Sequence, residues 1–350
     1  MQGYRVVVVD DSAFMRRFIS DLLHSDKDLN VIATAINGID AVEKVKTLKP
    51  DVVTMDIEMP EMDGLNALKT IMQECPTPVV MLSSRTKVGA DATFRALELG
   101  AVDFVAKPSG NISLDLEKIQ DELVSKVRVA AQAYQRVIRL TLPAEKADQD
   151  TVVSKGVLGI NLLPQKIVAI GTSTGGPRAL QTVLSGLPGN IMAGFAIVQH
   201  MPAGFTKSLA ERLNNISELR VSEAYDGDEL SAGRALIAPG DKHMKIERVG
   251  SSFYVKLSDE PPVGGLRPSI DKLMESLVEC DVPLVGVLLT GMGHDGVAGL
   301  KKIQAANGYT IVEDESTCIV YGMPRAAIES KCVDRVVPLS LVSQDILNHL

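Results

Sequence analysis

The sequence predicts two doubly wound α/β domains in tandem, and three observations carry that prediction. Over the first 130 residues, five short β-branched or apolar runs alternate with helical patterns, and four of those runs end at polar side chains. In the second half, two apolar runs, 167–170 and 284–289, each lead into a glycine-dense turn. At 350 residues the chain is long enough for two complete cores.

Composition narrows the class. Hydrophobic residues make up 45% and charged residues 23%, as in a soluble globular protein. The N-terminus, MQGYRVVVVDDS, has four apolar residues in a row and then two aspartates, which does not read as a signal peptide; no stretch is long enough to span a bilayer, so no membrane insertion is expected. Cys75, Cys280, Cys318 and Cys332 are scattered without metal-ligand spacing, which reads as reduced thiols in a cytoplasmic protein. A net charge of −8 argues against broad nucleic-acid binding.

In order, Arg5–Val9 reads as a strand ending at Asp10-Asp11, followed by a helix whose apolar face is Phe14, Phe18, Ile19, Leu22 and Leu23. Val31–Ala35 is the second strand and Gly38–Leu48 the second helix. Val52–Met55 is the third strand, ending at Asp56 and followed by Glu58-Met59-Pro60 and a turn at Gly64. Pro78–Leu82 ends at Ser83-Ser84, and Ala101–Val105 is closed by Lys107-Pro108. In doubly wound sheets ligands sit at the carboxyl ends of the strands. Asp10, Asp11, Asp56, Ser83 and Lys107 all fall there. Clustered carboxylates suit a hard cation such as Mg²⁺, and a carboxylate can attack a phosphoryl group while a cation and a lysine neutralise the developing charge. Any one of these residues alone reads as an ordinary polar loop end.

DDSAFMR, DIEMPEMDG, the Ser83 strand end and Lys107-Pro108 together resemble the receiver domain of two-component response regulators, a flavodoxin-like five-stranded parallel fold. The resemblance implies that Asp56 accepts phosphate from a histidine kinase. It implies that Asp10, Asp11, Asp56 and the Glu58 backbone carbonyl help hold Mg²⁺, and that Ser83 and Lys107 contact the phosphoryl group. Phe104 matches the family's switch aromatic and equally fits a plain core phenylalanine.

Leu114, Ile119, Leu123, Val124 and Val127 read as a helix closing this domain, with weak continuation through Tyr134 and Ile138. From Pro143 apolar periodicity stops until Val157, and AEKADQD reads as a solvated linker. Val157, Leu158, Ile160, Leu162 and Leu163 have the character to dock on either domain. The expected division is 1–130, a helix extension and linker over 131–164, and a second domain over 165–350.

The second domain opens with KIVAIGTSTGGP. Ile167–Ile170 is a buried strand, and Gly171–Gly175 fits G-x-S-x-G, the spacing of a nucleophile elbow. Ser173 then sits on a tight turn before a helix opened by Pro177, whose N-terminus favours a developing oxyanion. The same residues also fit a glycine-rich turn without chemistry.

Ala179–Leu187 is the following helix. Gly194–Val198 is a strand ended by Gln199-His200-Met201-Pro202, so His200 lies at the same sheet edge as Ser173 and is the best-placed base among the five histidines. His24 and His349 read as surface residues, His243 and His294 as lying in polar surroundings. Leu284–Leu289 leads into TGMGHDG, where Asp295 has the place of an acid that orients an imidazole, or of a cap on the next helix. The chain order Ser, His, Asp differs from the Ser, Asp/Glu, His of α/β-hydrolases, so the fold is a different one. Strand signals over Leu219–Leu257, including Ala235–Ala238, Met244–Val249 and Phe253–Leu257, read as an antiparallel excursion on a mostly parallel Rossmann-like sheet. Arg267-Pro268-Ser269 precedes a helix through Leu277, with Arg267 either near the cleft or simply on the surface.

IGTSTGG, QHMP, RPSID, LTGMGHDG and YGMP, in that order, resemble the catalytic domain of the chemotaxis methylesterase family, CheB. With the receiver, the resemblance spans nearly the whole chain except the linker. It implies a phosphorylation-activated protein-glutamate methylesterase and glutamine deamidase that acts on methyl-accepting chemoreceptors. Ser173 is then the nucleophile, His200 the base and Asp295 its orienting acid, with the Met292 backbone N–H at the oxyanion and Thr174 assisting nearby. No metal is expected in this domain, because none of its clusters has ligand spacing. It also implies that the unphosphorylated receiver covers the active-site cleft. The rival readings are a phosphorylation-gated adaptor, a transcriptional regulator, and a serine hydrolase acting on another protein ester or amide.

Overall fold

The computed structural model of the chain describes residues 3–84, 86–107, 112–133 and 162–350. They form two compact units, one on each side of the segment 134–161. The expected AEKADQD linker, Tyr134, Ile138, Val157, Leu158, Ile160 and Pro108 lie outside the described residues.

The first unit runs β1 (Tyr4–Val9), α1 (Ala13–His24), β2 (Leu29–Ala35), α2 (Gly38–Leu48), β3 (Val52–Asp56), α3 (Gly64–Glu74), β4 (Val79–Ser83), α4 (Lys87–Glu98), β5 (Asp103–Ala106) and α5 (Ile112–Gln132). All strand pairs are parallel, in the order β2-β1-β3-β4-β5. Val6 to Val9 are wholly buried, as an interior strand covered on both faces requires. Ser12, Asn37, Asp63 and Thr86 start the first four helices, each side chain accepting the N–H three residues on. Each such cap is worth about 1 kcal/mol. Sheet growth reverses between β1 and β3, so the crevice at their carboxyl ends opens between Asp10 and Asp56.

The second unit contains β6 (Lys166–Thr172), α6 (Gly176–Ser185), β7 (Ala193–Gln199), α7 (Phe205–Ile216), β8 (Arg220–Glu223), β9 (Arg234–Ile237), β10 (His243–Val249), β11 (Ser252–Ser258), α8 (Ile270–Val278), β12 (Leu284–Leu288), α9 (Val297–Ala305), β13 (Tyr309–Glu313), α10 (Met323–Glu329), β14 (Arg335–Val337) and α11 (Leu339–Asn348). Its seven-stranded sheet, β14-β13-β12-β6-β7-β9-β8, is parallel throughout.

The antiparallel excursion is narrower than the strand signals implied. Among the described strands only β10 and β11 pair antiparallel, in a sheet of their own, whereas β9 joins the parallel sheet between β7 and β8. Burial explains the split. Ala235, Leu236 and Ile237 are all buried, the mark of a strand covered on both faces. In β11 buried Phe253 and Val255 alternate with half-buried Ser252 and Tyr254, as in a hairpin with one wet face.

One face of the sheet packs Ile167, Ala169, Ala196 and Val198 against Ile270, Leu273 and Met274 of α8 and Leu300 of α9, with the hairpin's Met244, Ile246 and Phe253 in the same core. Burying each such large side chain stabilises by about 1.5–3 kcal/mol. Leu162 joins this unit, its carbonyl accepting the Ala232 N–H, while Leu163 stays 45% exposed. The sheet grows from β6 toward β7 and later resumes on the other side with β12, which sets the switch point beside the end of β6. All four cysteines are free thiols. Among the described residues no helix is long and apolar enough to cross a membrane.

Candidate active site

Strand register brings Ser173 and His200 together. Thr172 of β6 pairs with Gln199 of β7, and the His200 N–H donates to the Thr172 carbonyl at 3.0 Å, which extends the ladder to the strand ends. Ser173 and His200 are therefore the residues that follow the ends of two neighbouring strands, whose usual spacing is about 5 Å. On its other side the Ser173 N–H donates to the Thr290 carbonyl at 3.1 Å, past the end of β12. The elbow then closes tightly. Gly176 N–H donates to the Ser173 carbonyl at 2.8 Å, Gln199 Nε2 donates to the same oxygen at 2.9 Å, and Gly175 takes φ +81° to start α6. That left-handed φ is the one a glycine tolerates at no steric cost.

Asp295 completes the set. Its Oδ2 lies 2.8 Å from His200 Nε2, with the two side chains 7% and 8% exposed respectively. Neutral His200 protonated on Nε2 donates to this carboxylate and keeps Nδ1 as the basic nitrogen. Asp295 also accepts from Ile270 N at 2.7 Å, Ser269 Oγ at 2.9 Å and Asp271 N at 3.1 Å. Burial alone would push its carboxyl up; the bonds from His200 and from the Ile270 and Asp271 N–H groups override that and hold it down to about 2. Asp295 thus pairs with His200 and also caps a helix, but it caps α8 and not the helix that follows it. The N-cap of α9 is Gly296, at φ +96°.

Thr174 is buried, its carbonyl accepting from Thr290 Oγ1 at 3.0 Å, and Met292 is on the rim at 43% exposure, two residues beyond Thr290. His294 is exposed, as expected beside an inward Asp295. Arg267 is bound to Asp241 and to the backbone carbonyls of Asp259 and Glu260, so it braces the loop ahead of Ser269.

Several residues with no assigned role in the sequence support the site. Thr290 ties the elbow to Val320, whose N–H donates to Thr290 Oγ1 at 2.9 Å, and to Glu313, whose Oε2 accepts the Thr290 N–H at 2.8 Å. Glu313 is wholly buried, and burial pushes its carboxyl up to about 7. His243 is also wholly buried; its Nδ1 accepts the Ser269 N–H at 3.2 Å and Nε2 faces the Pro261 carbonyl at 3.2 Å. The RPSID motif carried a signal for Ser269, a serine immediately before an apolar helix. Nothing local in the sequence marked Glu313 or His243.

In the first unit, Asp10, Asp11 and Asp56 bring carboxylate oxygens within 4.8 Å of one another. Lys107 Nζ bridges two of them, at 2.9 Å from Asp10 Oδ2 and 2.7 Å from Asp56 Oδ2. Burial raises the Asp56 carboxyl and Asp10 adds to the rise, against the pull of Lys107. An all-oxygen donor set with carboxylates crowded in this way fits a hard divalent cation. Glu58 is exposed two residues beyond Asp56. Ser83 is placed otherwise than its expected role needs. Its hydroxyl donates to the Gly89 carbonyl at 3.0 Å and accepts from Thr93 Oγ1 at 2.7 Å, both on α4, so contact with a phosphoryl group requires a change of partner. Phe104 is buried in β5, and its carbonyl accepts from Lys126 Nζ at 2.7 Å.

A response regulator receiver family profile matches residues 6–118, and the CheB methylesterase profile matches residues 168–346. The chain belongs to the CheB methylesterase family. CheB relatives align with it almost end to end. The protein-glutamate methylesterase/protein-glutamine glutaminase of Symbiobacterium thermophilum is 48% identical over 98% of this chain and 96% of its own length. The protein of the same name from Geobacillus kaustophilus is 49% identical over 99% of both chains. The crystal structure of the Thermotoga maritima CheB methylesterase catalytic domain is 41% identical, superposes with a TM-score of 0.52, and covers 53% of this chain and 98% of its own. The CheB match contains Ser173, His200 and Asp295.

Proposed function

We propose that Ser173, His200 and Asp295 hydrolyse glutamyl methyl esters on methyl-accepting chemoreceptors, and that the same site deamidates receptor glutamines. The observation that carries this reading is the 2.8 Å bond from Asp295 to His200 Nε2, with Ser173 set beside His200 by the β6–β7 register. Ser173 Oγ attacks the ester carbonyl while His200 Nδ1 takes its proton. The Met292 N–H, with Thr174 nearby, stabilises the oxyanion. The intermediate collapses to a glutamyl-serine ester, and methanol leaves with the proton returned by His200. Water, activated by His200, then releases the glutamate and restores Ser173. From glutamine the same steps release ammonia.

The activity is switched by phosphorylation. Asp56 takes the phosphoryl group of a histidine kinase, Lys107 contacts it, and Ser83 reaches it after leaving the Gly89 carbonyl. Asp10, Asp11, Asp56 and the Glu58 carbonyl would hold Mg²⁺, which would neutralise charge on the phosphoryl oxygens. Phosphorylation then biases a two-state equilibrium of the receiver, for which a few kcal/mol suffices.

The test is methanol release from methylated chemoreceptor membranes by wild type, Ser173→Ala and Asp56→Asn, with and without acetyl phosphate and Mg²⁺. Release that acetyl phosphate stimulates, that Ser173→Ala abolishes and that Asp56→Asn leaves unstimulated is the expected result. No release by wild type under any condition points to the adaptor or to a different ester.

A further inference from the structure

The helices that flank the site exchange their caps. Asp295, just ahead of α9, accepts the N–H groups of Ile270 and Asp271 at the start of α8. Asp271, the second residue of α8, turns its Oδ1 back to the start of α9 and accepts from Gly296 N at 2.9 Å and Gly299 N at 2.7 Å. Gly296 has no side chain to cap α9, so Asp271 provides an acceptor that the helix lacks. Each carboxylate thus rests on the positive end of the other's helix.

We infer that Asp271 is a positioning residue for the orienting acid, clamping the Asp295–Gly296 turn so that Asp295 meets His200 Nε2. The inference rests on the Ser173–His200–Asp295 reading above. The Gly296 N–H held by Asp271 follows Asp295 directly in the chain, so the bond fixes the backbone from which the Asp295 side chain reaches His200. The clamp also carries charge. Burial pushes the Asp271 carboxyl up to about 6 and the Asp295 carboxylate adds to the rise, against the N–H groups of Gly299 and Gly296. The Cys332 thiol, itself pushed up by burial, also feels the Asp271 charge. Neutral or ionised, Asp271 keeps an oxygen for Gly296 and Gly299. Only the ionised form places a second negative charge beside the Asp295–His200 pair, and Asp271→Asn removes it.

The test compares Asp271→Asn and Asp271→Ala with wild type in the full chain, by methanol release from methylated chemoreceptor membranes with acetyl phosphate and Mg²⁺. Asparagine keeps the acceptor and loses the charge; alanine loses both. Alanine should lower kcat by about 10- to 100-fold at nearly unchanged KM, as expected for a small misplacement of a reacting group. Asparagine should recover most of that kcat and move the acid limb of kcat/KM to lower pH by roughly 0.3–1 unit, the size of a neighbouring-charge effect. A folded alanine variant with wild-type kcat, a loss confined to KM, or an asparagine variant with an unmoved acid limb overturns the inference. Should alanine fail to fold, the asparagine pH profile decides alone. Ser173→Ala and His200→Gln are run alongside. If they stay active, the triad reading itself has failed, and that result is distinct from a silent Asp271.

Discussion

Gly291 lies directly against Ser173: a Cβ at residue 291 would come within 2.7 Å of the serine Cβ and would also press on Met323 Sδ. Neither neighbour has room to retreat, because Met323 is wholly buried and Ser173 is pinned through its N–H to Thr290. Gly291→Ala should therefore cost about 1–3 kcal/mol in stability, as overpacking does. Displacing Ser173, the proposed nucleophile, by about 1 Å should lower kcat by about 10²-fold. Thermal melts and methanol release measure the two effects separately, and a fully active alanine variant would show that the elbow yields.

Asp295→Asn should lower kcat by about 10³- to 10⁴-fold, because an amide facing His200 Nε2 no longer favours the tautomer that leaves Nδ1 basic. It should also destabilise the second unit by about 1–3 kcal/mol, since the carboxylate satisfies Ser269, Ile270 and Asp271 as well. Steady-state kinetics and urea unfolding of the same preparation check both. An active-site group without the capping role would lose activity and keep its midpoint.

Glu313 makes stability fall as pH rises. Burial lifts its carboxyl to about 7 from an ordinary 4.5, so the native state holds this proton where the unfolded chain has lost it. The contribution is complete below the unfolded value and disappears as pH climbs through the folded one, and it amounts to roughly 3 kcal/mol from the size of the shift. Glu313→Gln keeps an oxygen for the Thr290 N–H and does not titrate. Against wild type it should gain stability steadily between pH 5 and 8, read from melting temperatures. A gap that stays constant with pH would refute the assignment to Glu313.

Divalent-ion removal should separate the two units. EDTA should abolish the stimulation by acetyl phosphate, because Asp10, Asp11 and Asp56 lose the cation that their crowded carboxylates fit. It should leave unstimulated methanol release unchanged. Asp56→Asn should reproduce the EDTA result without chelator, and a basal rate that falls with EDTA would place a metal in the ester chemistry.

The sequence by itself determined the architecture and singled out the candidate reacting groups. Runs such as Arg5–Val9 and Leu284–Leu289 can only be interior strands, and chemistry at the carboxyl edge then follows from where Asp10, Asp56, Ser173, His200 and Asp295 stand in their runs. These readings rest on local pattern, which a chain carries in its residue order. Tertiary structure decided what depends on approach between segments far apart in the chain. Whether Ala235–Ile237 joined the hairpin or the main sheet turned on which faces were covered. Asp295 read as an acid orienting His200 or as a cap for the helix next to it, yet the helix it caps is α8, about 25 residues earlier in the chain, because that helix start is the one it meets in space. Glu313, His243 and Asp271 gain their roles the same way. Their contacts with Thr290, Ser269 and Gly296 exist only once β13, β10 and α8 have taken their places in the second unit, and no periodicity or spacing encodes which buried polar group will find which distant partner.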